Sequence, residues 1–248
     1  YYKSAMLLKI ITVSACVFAL FMLLHGTGEA LLATFVAYLI AGIYILYRVR
    51  KRRQIRNVLI NECNPQKMLS MYITLMSYGR RNTGWESHLY NIGSALFYAG
   101  RFDDVKKILE LFPKYCDTNK GKVFYEILCM RLAYQEGNAE QLNVHDASLR
   151  ELMQITRLSD TIRLLCQEVT QYPLILDLEN KEEYRKIYEM YLNIYGGKGI
   201  LSQIKQNYML CRMAEKLGME KEDQQYRAFV TEHGGGLFYA SALSHVLD

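Results

Sequence analysis

The sequence predicts an all-α protein in two parts: a two-helix transmembrane hairpin, then an α-solenoid of about ten helices. Three observations predict it. Two apolar runs, Ala5–Leu24 and Ala30–Tyr47, lie back to back and are followed by a dense basic run. From residue 57 onward apolar residues recur at helical spacing almost throughout, and no stretch alternates as a strand would. Glycines punctuate those stretches at related intervals: Gly100 and Gly137 lie 37 residues apart, and Gly218 lies 81 further on, about two more units.

The hairpin comes first. About 20 apolar residues span a hydrocarbon core as a helix. The run at 5–24 has that length, with Lys9 near its start, where a lysine snorkels to the interface. The run at 30–47 has 18 residues and ends on Tyr44 and Tyr47, which suit an interfacial belt. The break between them, His25-Gly26-Thr27-Gly28-Glu29, is short enough to force an antiparallel return. Arg48, Arg50, Lys51, Arg52, Arg53 and Arg56 follow the second run, and the break holds no Lys or Arg. The positive-inside rule then predicts a two-pass protein of the cell membrane with both termini cytoplasmic. The expected parts are residues 1–56, the hairpin with its basic juxtamembrane segment, and residues 57–248, a cytoplasmic helical-repeat domain. The chain opens on Tyr1 rather than Met, so the gene product is expected to begin upstream.

Charge follows the same division. The net charge is +5, but eight of the 30 basic residues and only one of the 25 acidic ones lie in residues 1–56. The remainder holds 22 basic and 24 acidic residues, so the basicity is a property of the anchor and argues against nucleic acid as a partner. The six cysteines, Cys16, Cys63, Cys116, Cys129, Cys166 and Cys211, form no CxxC pair and read as free, buried thiols of a reducing compartment.

Asn64-Pro65 is a helix start, with Asn at the cap and Pro at the first helical position. Met68, Met71, Tyr72, Leu75 and Met76 form its inner face, and it stops at Gly79. Arg80–Gly84 is a turn. Trp85–Ala99 is the next helix, ended by Gly100; Asp103–Phe112 follows and is closed by Pro113. Gly121–Glu136 carries Phe124, Ile127, Leu128, Arg131 and Leu132 at helical spacing, and Gly137 ends it. Ala139–Thr156 is helical with an expected break near Asn143–Asp146. Ser159-Asp160 caps a helix to Gln171, and Leu174–Leu178 is an apolar connector. Asn180 with Glu183 three residues on is a capping-box pattern that opens a helix to Tyr195, ended by Gly196-Gly197. Leu201–Leu217 and Glu220–Glu232 form a pair broken at Gly218, and Gly234-Gly235-Gly236 turns into a last short helix, Tyr239–Leu247.

The segment Leu89–Phe112 resembles a tetratricopeptide repeat. Ile92-Gly93 matches the family's Leu-Gly pair, and Leu96 stands where the family often has Tyr. Gly100 and Phe102 match the small residue and aromatic of the turn. Val105 stands where Ala is preferred, and Leu109 and Phe112 match the apolar positions of the second helix. Glu126–Leu142 is a weaker unit, with Ala133, Gly137, Ala139 and Leu142 in place. As a whole the chain is also similar to uncharacterised membrane-anchored repeat proteins of Gram-positive bacteria. Asn61-Glu62-Cys63-Asn64-Pro65, Phe229-Val230-Thr231-Glu232-His233-Gly234 and Phe238-Tyr239-Ala240-Ser241-Ala242 carry that likeness. The resemblance implies an interaction domain with a concave surface for a protein or peptide, and it brings no catalytic residues.

The residues agree with that. His25, His88, His145, His233 and His245 are scattered, with neither zinc spacing nor an H-E-x-x-H pair. Gly26-Thr27-Gly28 and Gly196-Gly197-Lys198-Gly199 follow no strand and lack the P-loop pattern. No catalytic, metal or cofactor-binding residue is expected, and no cofactor. Among the 20 tyrosines, Tyr184, Tyr188, Tyr191 and Tyr195 recur at i, i+4, i+7 and i+11. They read first as a packing face. Tyr184, Tyr188 and Tyr191, with Arg185 and Asn193, are also candidates to line a partner groove. The expected function is a membrane-tethered, non-enzymatic scaffold that binds an unidentified protein or peptide at the cytoplasmic face. The alternative is an accessory subunit of a membrane transport or export complex that uses the hairpin as a contact.

Overall fold

The computed structural model describes residues 28–77, 85–193 and 199–244. The expected first apolar helix, Cys16, His25, the turn at 80–84, the Gly196-Gly197 helix end and His245 lie outside these residues. The described residues form twelve helices. The chain divides into two compact units, Tyr1–Ile55 and Arg56–Asp248.

Helix α1 (Gly28–Ile60) is one unbroken element of 33 residues. The apolar run and the basic run are thus one helix, which continues through the cations to Ile60. Tyr47, read as an interfacial aromatic, accepts a hydrogen bond from Lys51 Nζ at 3.2 Å. Among the described residues no helix is long and apolar enough to cross a membrane. That finding overturns the transmembrane hairpin, the two-pass cell-membrane placement and the expected bilayer contact. The membrane-tethered scaffold and the hairpin-borne transport subunit fall with them.

The second unit is the all-helical, tetratricopeptide-like solenoid the spacing predicts. Asn64 Oδ1 accepts from Lys67 N at 2.9 Å and caps α2 (Pro65–Ser77), whose Met68 and Tyr72 are buried. Helices α3 (Trp85–Tyr98) and α4 (Phe102–Tyr115) form the first repeat. Leu89, Gly93, Leu96, Val105 and Phe112 are buried in it, and Ile92, Phe102 and Leu109 are partly buried. Gly93 lets two helices approach closely: a Cβ there would lie 2.7 Å from Leu128 Cδ1. Gly100, between α3 and α4, has φ +73° and needs glycine's freedom.

Pro113 does not close α4, which runs on to Tyr115. In a last turn proline removes a single backbone hydrogen bond, and Cys116 N still reaches Phe112 O at 2.8 Å. Thr118 Oγ1 accepts from Gly121 N at 3.0 Å and starts α5 (Asn119–Gln135) two residues early. Asn138 Oδ1 accepts from Gln141 N at 3.1 Å and starts α6 (Ala139–Ile155). The break expected at Asn143–Asp146 is absent: Leu142 and Leu149 are both fully buried on one face. These residues join Phe112, Ile127, Leu128 and Val169 in the larger core. Each such side chain contributes roughly 1.5–3 kcal/mol of burial.

Helix α7 (Asp160–Val169) ends earlier than expected, and the supposed apolar connector is itself a helix, α8 (Tyr172–Asn180), with Pro173 in its first turn. Asn180 ends that helix instead of opening the next. Glu182 takes φ +57°, and α9 (Tyr184–Asn193) starts after it. Helices α10 (Ile200–Lys216) and α11 (Glu220–His233) pair around Gly218, φ +67°.

The C-terminal turn does something an open solenoid does not. Gly236 N donates to Cys63 O at 3.1 Å, and Gly235 has φ +53°, so the last turn is held against the start of α2. Helix α12 (Phe238–Ser244) is thereby brought to the first repeat, where Phe238 meets Phe97 and Phe102 edge-on at 5.6 and 5.5 Å.

Cys63, Cys116, Cys129, Cys166 and Cys211 are all free and buried. Burial pushes the thiols of Cys63, Cys116 and Cys166 up to about 11 and those of Cys129 and Cys211 up to about 12. Thiolate is the reactive form. These five are expected to resist iodoacetamide at pH 8 in the native protein and to label fully in denaturant, read peptide by peptide by mass spectrometry. Fast native labelling of any of them would contradict their burial.

Candidate functional site

The closure by α12 leaves a cavity of about 360 Å³ on the inner side of the helices. Five helices supply its polar lining at helical spacing. Helix α5 contributes Arg131, Tyr134 and Gln135; α7 contributes Gln167 and Glu168. Helix α10 presents Ser202, Lys205, Tyr208, Met209 and Arg212, a stripe at i, i+3, i+6, i+7 and i+10. Tyr172 comes from α8 and Tyr191 from α9. Phe97, Phe238 and Tyr239 close one side, and Leu164, 66 % exposed, stands on the rim.

Two charge clusters line it. In the first, Lys205 Nζ donates to Glu168 Oε2 at 2.6 Å, and Tyr172 donates to Glu168 Oε1 at 3.2 Å. Arg131 Nη2 lies 3.7 Å from that same Oε1, outside hydrogen-bond reach. Burial opposes the Glu168 charge, but Lys205 and then Arg131 outweigh it and hold its pKa below the usual carboxylate value of 4.5. In the second cluster Tyr134 donates to Glu179 Oε1 at 3.2 Å, with Arg212 Nη2 3.5 Å from that oxygen. Arg131 is 2 % exposed, and its guanidinium carbon sits 5.4 Å from the Tyr98 ring centre. Burial pushes the phenols of Tyr134, Tyr172, Tyr191, Tyr208 and Tyr239 upward, so all five stay neutral and act as walls and donors.

Of the five residues read as partner-binding candidates, only Tyr191 lines the cavity. Tyr188 is buried, its hydroxyl 3.1 Å from that of Tyr226. Tyr184 packs on the smaller core. Arg185 is exposed and reaches Met219 Sδ at 3.8 Å, and Asn193 donates to its own helix at Glu189 O. The arrangement separates these because a helix carrying tyrosines at i, i+4 and i+7 turns only part of that stripe to the cavity. Arg131 was legible as a lone charge among apolar positions. Lys205 and Arg212 were missed, because their helix carries polar residues on several faces. Their meeting with Glu168 and Glu179 was not legible, since it depends on how helices distant in sequence pack.

A second polar cluster lies on another face. His145 Nδ1 is 2.7 Å from Glu126 Oε2, and Ser148 donates to Glu126 Oε1 at 2.8 Å. Serine and histidine thus share one carboxylate, and the hydroxyl is aimed at Glu126. A nucleophile relay needs serine on histidine and histidine on the acid, so this cluster does not form one. Among the described residues no group of His, Cys, Asp and Glu could hold a metal ion.

The chain matches no family model, and comparison with curated proteins and with solved structures finds no match.

Proposed function

We propose that this chain is a binding module, not an enzyme, and that its cavity captures a short segment of a partner polypeptide. The cavity itself carries the reading: about 360 Å³, walled by aromatic side chains, with a few charged groups from helices distant in sequence. Ligand sites are typically concave, largely apolar and furnished with a few placed polar groups. The ionisable groups there support binding over chemistry. Glu168 is held charged between two cations, and the phenols are held neutral, so none is poised to exchange a proton near neutral pH.

The test is selection of displayed random peptides on the full-length chain. Enriched peptides are expected to bind at least about tenfold more weakly to Leu164→Arg, which puts a bulky cation on the cavity rim at an exposed position with little cost to folding. Ile155→Ala, exposed and outside the cavity, is expected to leave binding unchanged. Peptides indifferent to Leu164→Arg, or no enrichment at all, would sink the proposal.

A further inference from the structure

We propose that the cavity reads a single carboxylate, and that Arg131 is the residue that binds it. This rests on the cavity being the binding site. Arg131 is 2 % exposed, and its Nε is buried without a hydrogen-bond partner. A guanidinium has five donors in a planar fork. Burying the Nε–H with no acceptor is costly unless something else satisfies it. Glu168 does not: it is 3.7 Å away and already holds Lys205 and Tyr172. The Tyr98 ring offers only a face.

Charge counting says what is missing. Arg131, Lys205 and Arg212 line the cavity against Glu168 and Glu179, which they face, leaving one positive charge in excess. The phenols stay neutral, so no internal group cancels it. A monoanion completes the site. A carboxylate matches the guanidinium fork with two parallel hydrogen bonds, whereas a phosphate dianion would overshoot the charge. The cavity that Arg131 lines is walled by Phe97, Tyr172, Tyr208, Phe238 and Tyr239, so the carboxylate is attached to an apolar or aromatic body. Two sources offer that chemistry: a free small carboxylic acid, and the carboxyl terminus of a peptide ending in such a residue.

The experiment is calorimetric titration of the full-length chain with matched pairs. One set is phenylacetate and N-acetyl-phenylalanine with their primary amides. The other is random tetrapeptides ending in Phe, with free and amidated termini. The acid of a pair is expected to bind at least about 30-fold more tightly than its amide, because amides leave the arginine fork half unmet. Arg131→Met is expected to erase that preference without weakening the amide, and to melt near the wild-type temperature, since Glu168 keeps Lys205 and Tyr172. Arg131→Lys keeps the charge without the fork and is expected to lose about tenfold. Small acids that bind as tightly as the tetrapeptides assign the source to a free acid; tighter tetrapeptides assign it to a peptide terminus. Equal binding of acid and amide, an Arg131→Met chain that still prefers acids, or no acid binding in the millimolar range would overturn the carboxylate. Displayed peptides that remain sensitive to Leu164→Arg under those outcomes would leave the cavity as a site. Acids bound through Arg131, with no peptide selected, would overturn the polypeptide partner instead.

Discussion

Phe238→Ala is expected to lower the unfolding free energy by about 3 kcal/mol, at the lower end for removing a buried aromatic. Phe238 is 9 % exposed and is the point at which the last helix meets the first repeat. Its ring meets Phe97, Phe102 and Tyr208 edge-on, at 5.6, 5.5 and 6.4 Å. Its Cβ lies 3.1 Å from where Gly100 would carry one, so the ring is seated over the first glycine turn. The low end applies because α12 spans only Phe238–Ser244 and has room to shift. The substitution is expected to act locally as well. Backbone amides of residues 238–244 should exchange faster, while those of α5 and α6 should keep their protection, as a low-stability unit would open first. Urea unfolding measures the first effect, and hydrogen exchange measures the second. A loss below about 1 kcal/mol would mean that α12 is not what closes the cavity.

That closure also marks where reading the sequence succeeds and where it stops. Gly100, Gly137 and Gly218 could be seen as hairpin turns because each follows an amphipathic run. All three take positive φ, at +73°, +66° and +67°. The Asn64 cap is equally local: its side-chain oxygen meets an amide three residues on, whereas the same pattern at Thr118 was missed. Helix α8 was hidden because nine residues beginning Tyr-Pro-Leu-Ile-Leu show no period, and its Pro173 sits where proline is tolerated. The apolar run at 30–47 misled for the opposite reason. A window of hydropathy reports composition, whereas no helix among the described residues is long and apolar enough to cross a membrane. Arg131 shows the limit most clearly. Its spacing put it on the inner face of α5, but whether such a charge is paired depends on residues 37 and 74 positions away, Glu168 and Lys205.

Lys205→Met tests how that pairing is held. Lys205 Nζ lies 2.6 Å from Glu168 Oε2; the lysine side chain is 19 % exposed and the glutamate 31 %. Breaking a fully buried pair costs about 3–5 kcal/mol, and a charge-assisted hydrogen bond is worth about 1.5–3. Glu168 still reaches water, so the expected loss at pH 7 is about 2 kcal/mol, in the lower range. Glu168→Gln in the same chain should recover most of it, because the stranded charge goes with it; simple additivity of the two changes would contradict the pairing. The pH dependence follows from the sign of the Glu168 shift. Its folded pKa lies below 4.5, so its contribution is fully present above that value and is lost as pH falls through the folded pKa. Without Lys205 the burial that opposes the charge meets only Arg131 at 3.7 Å and the Tyr172 hydroxyl, and the folded pKa rises. The variant should therefore begin to lose this contribution at a higher pH than the wild type, whereas Glu168→Gln should lose less than the wild type between pH 5 and pH 3. Urea midpoints measured across that interval decide it, and parallel curves for wild type and Lys205→Met would show that Glu168 does not depend on the lysine.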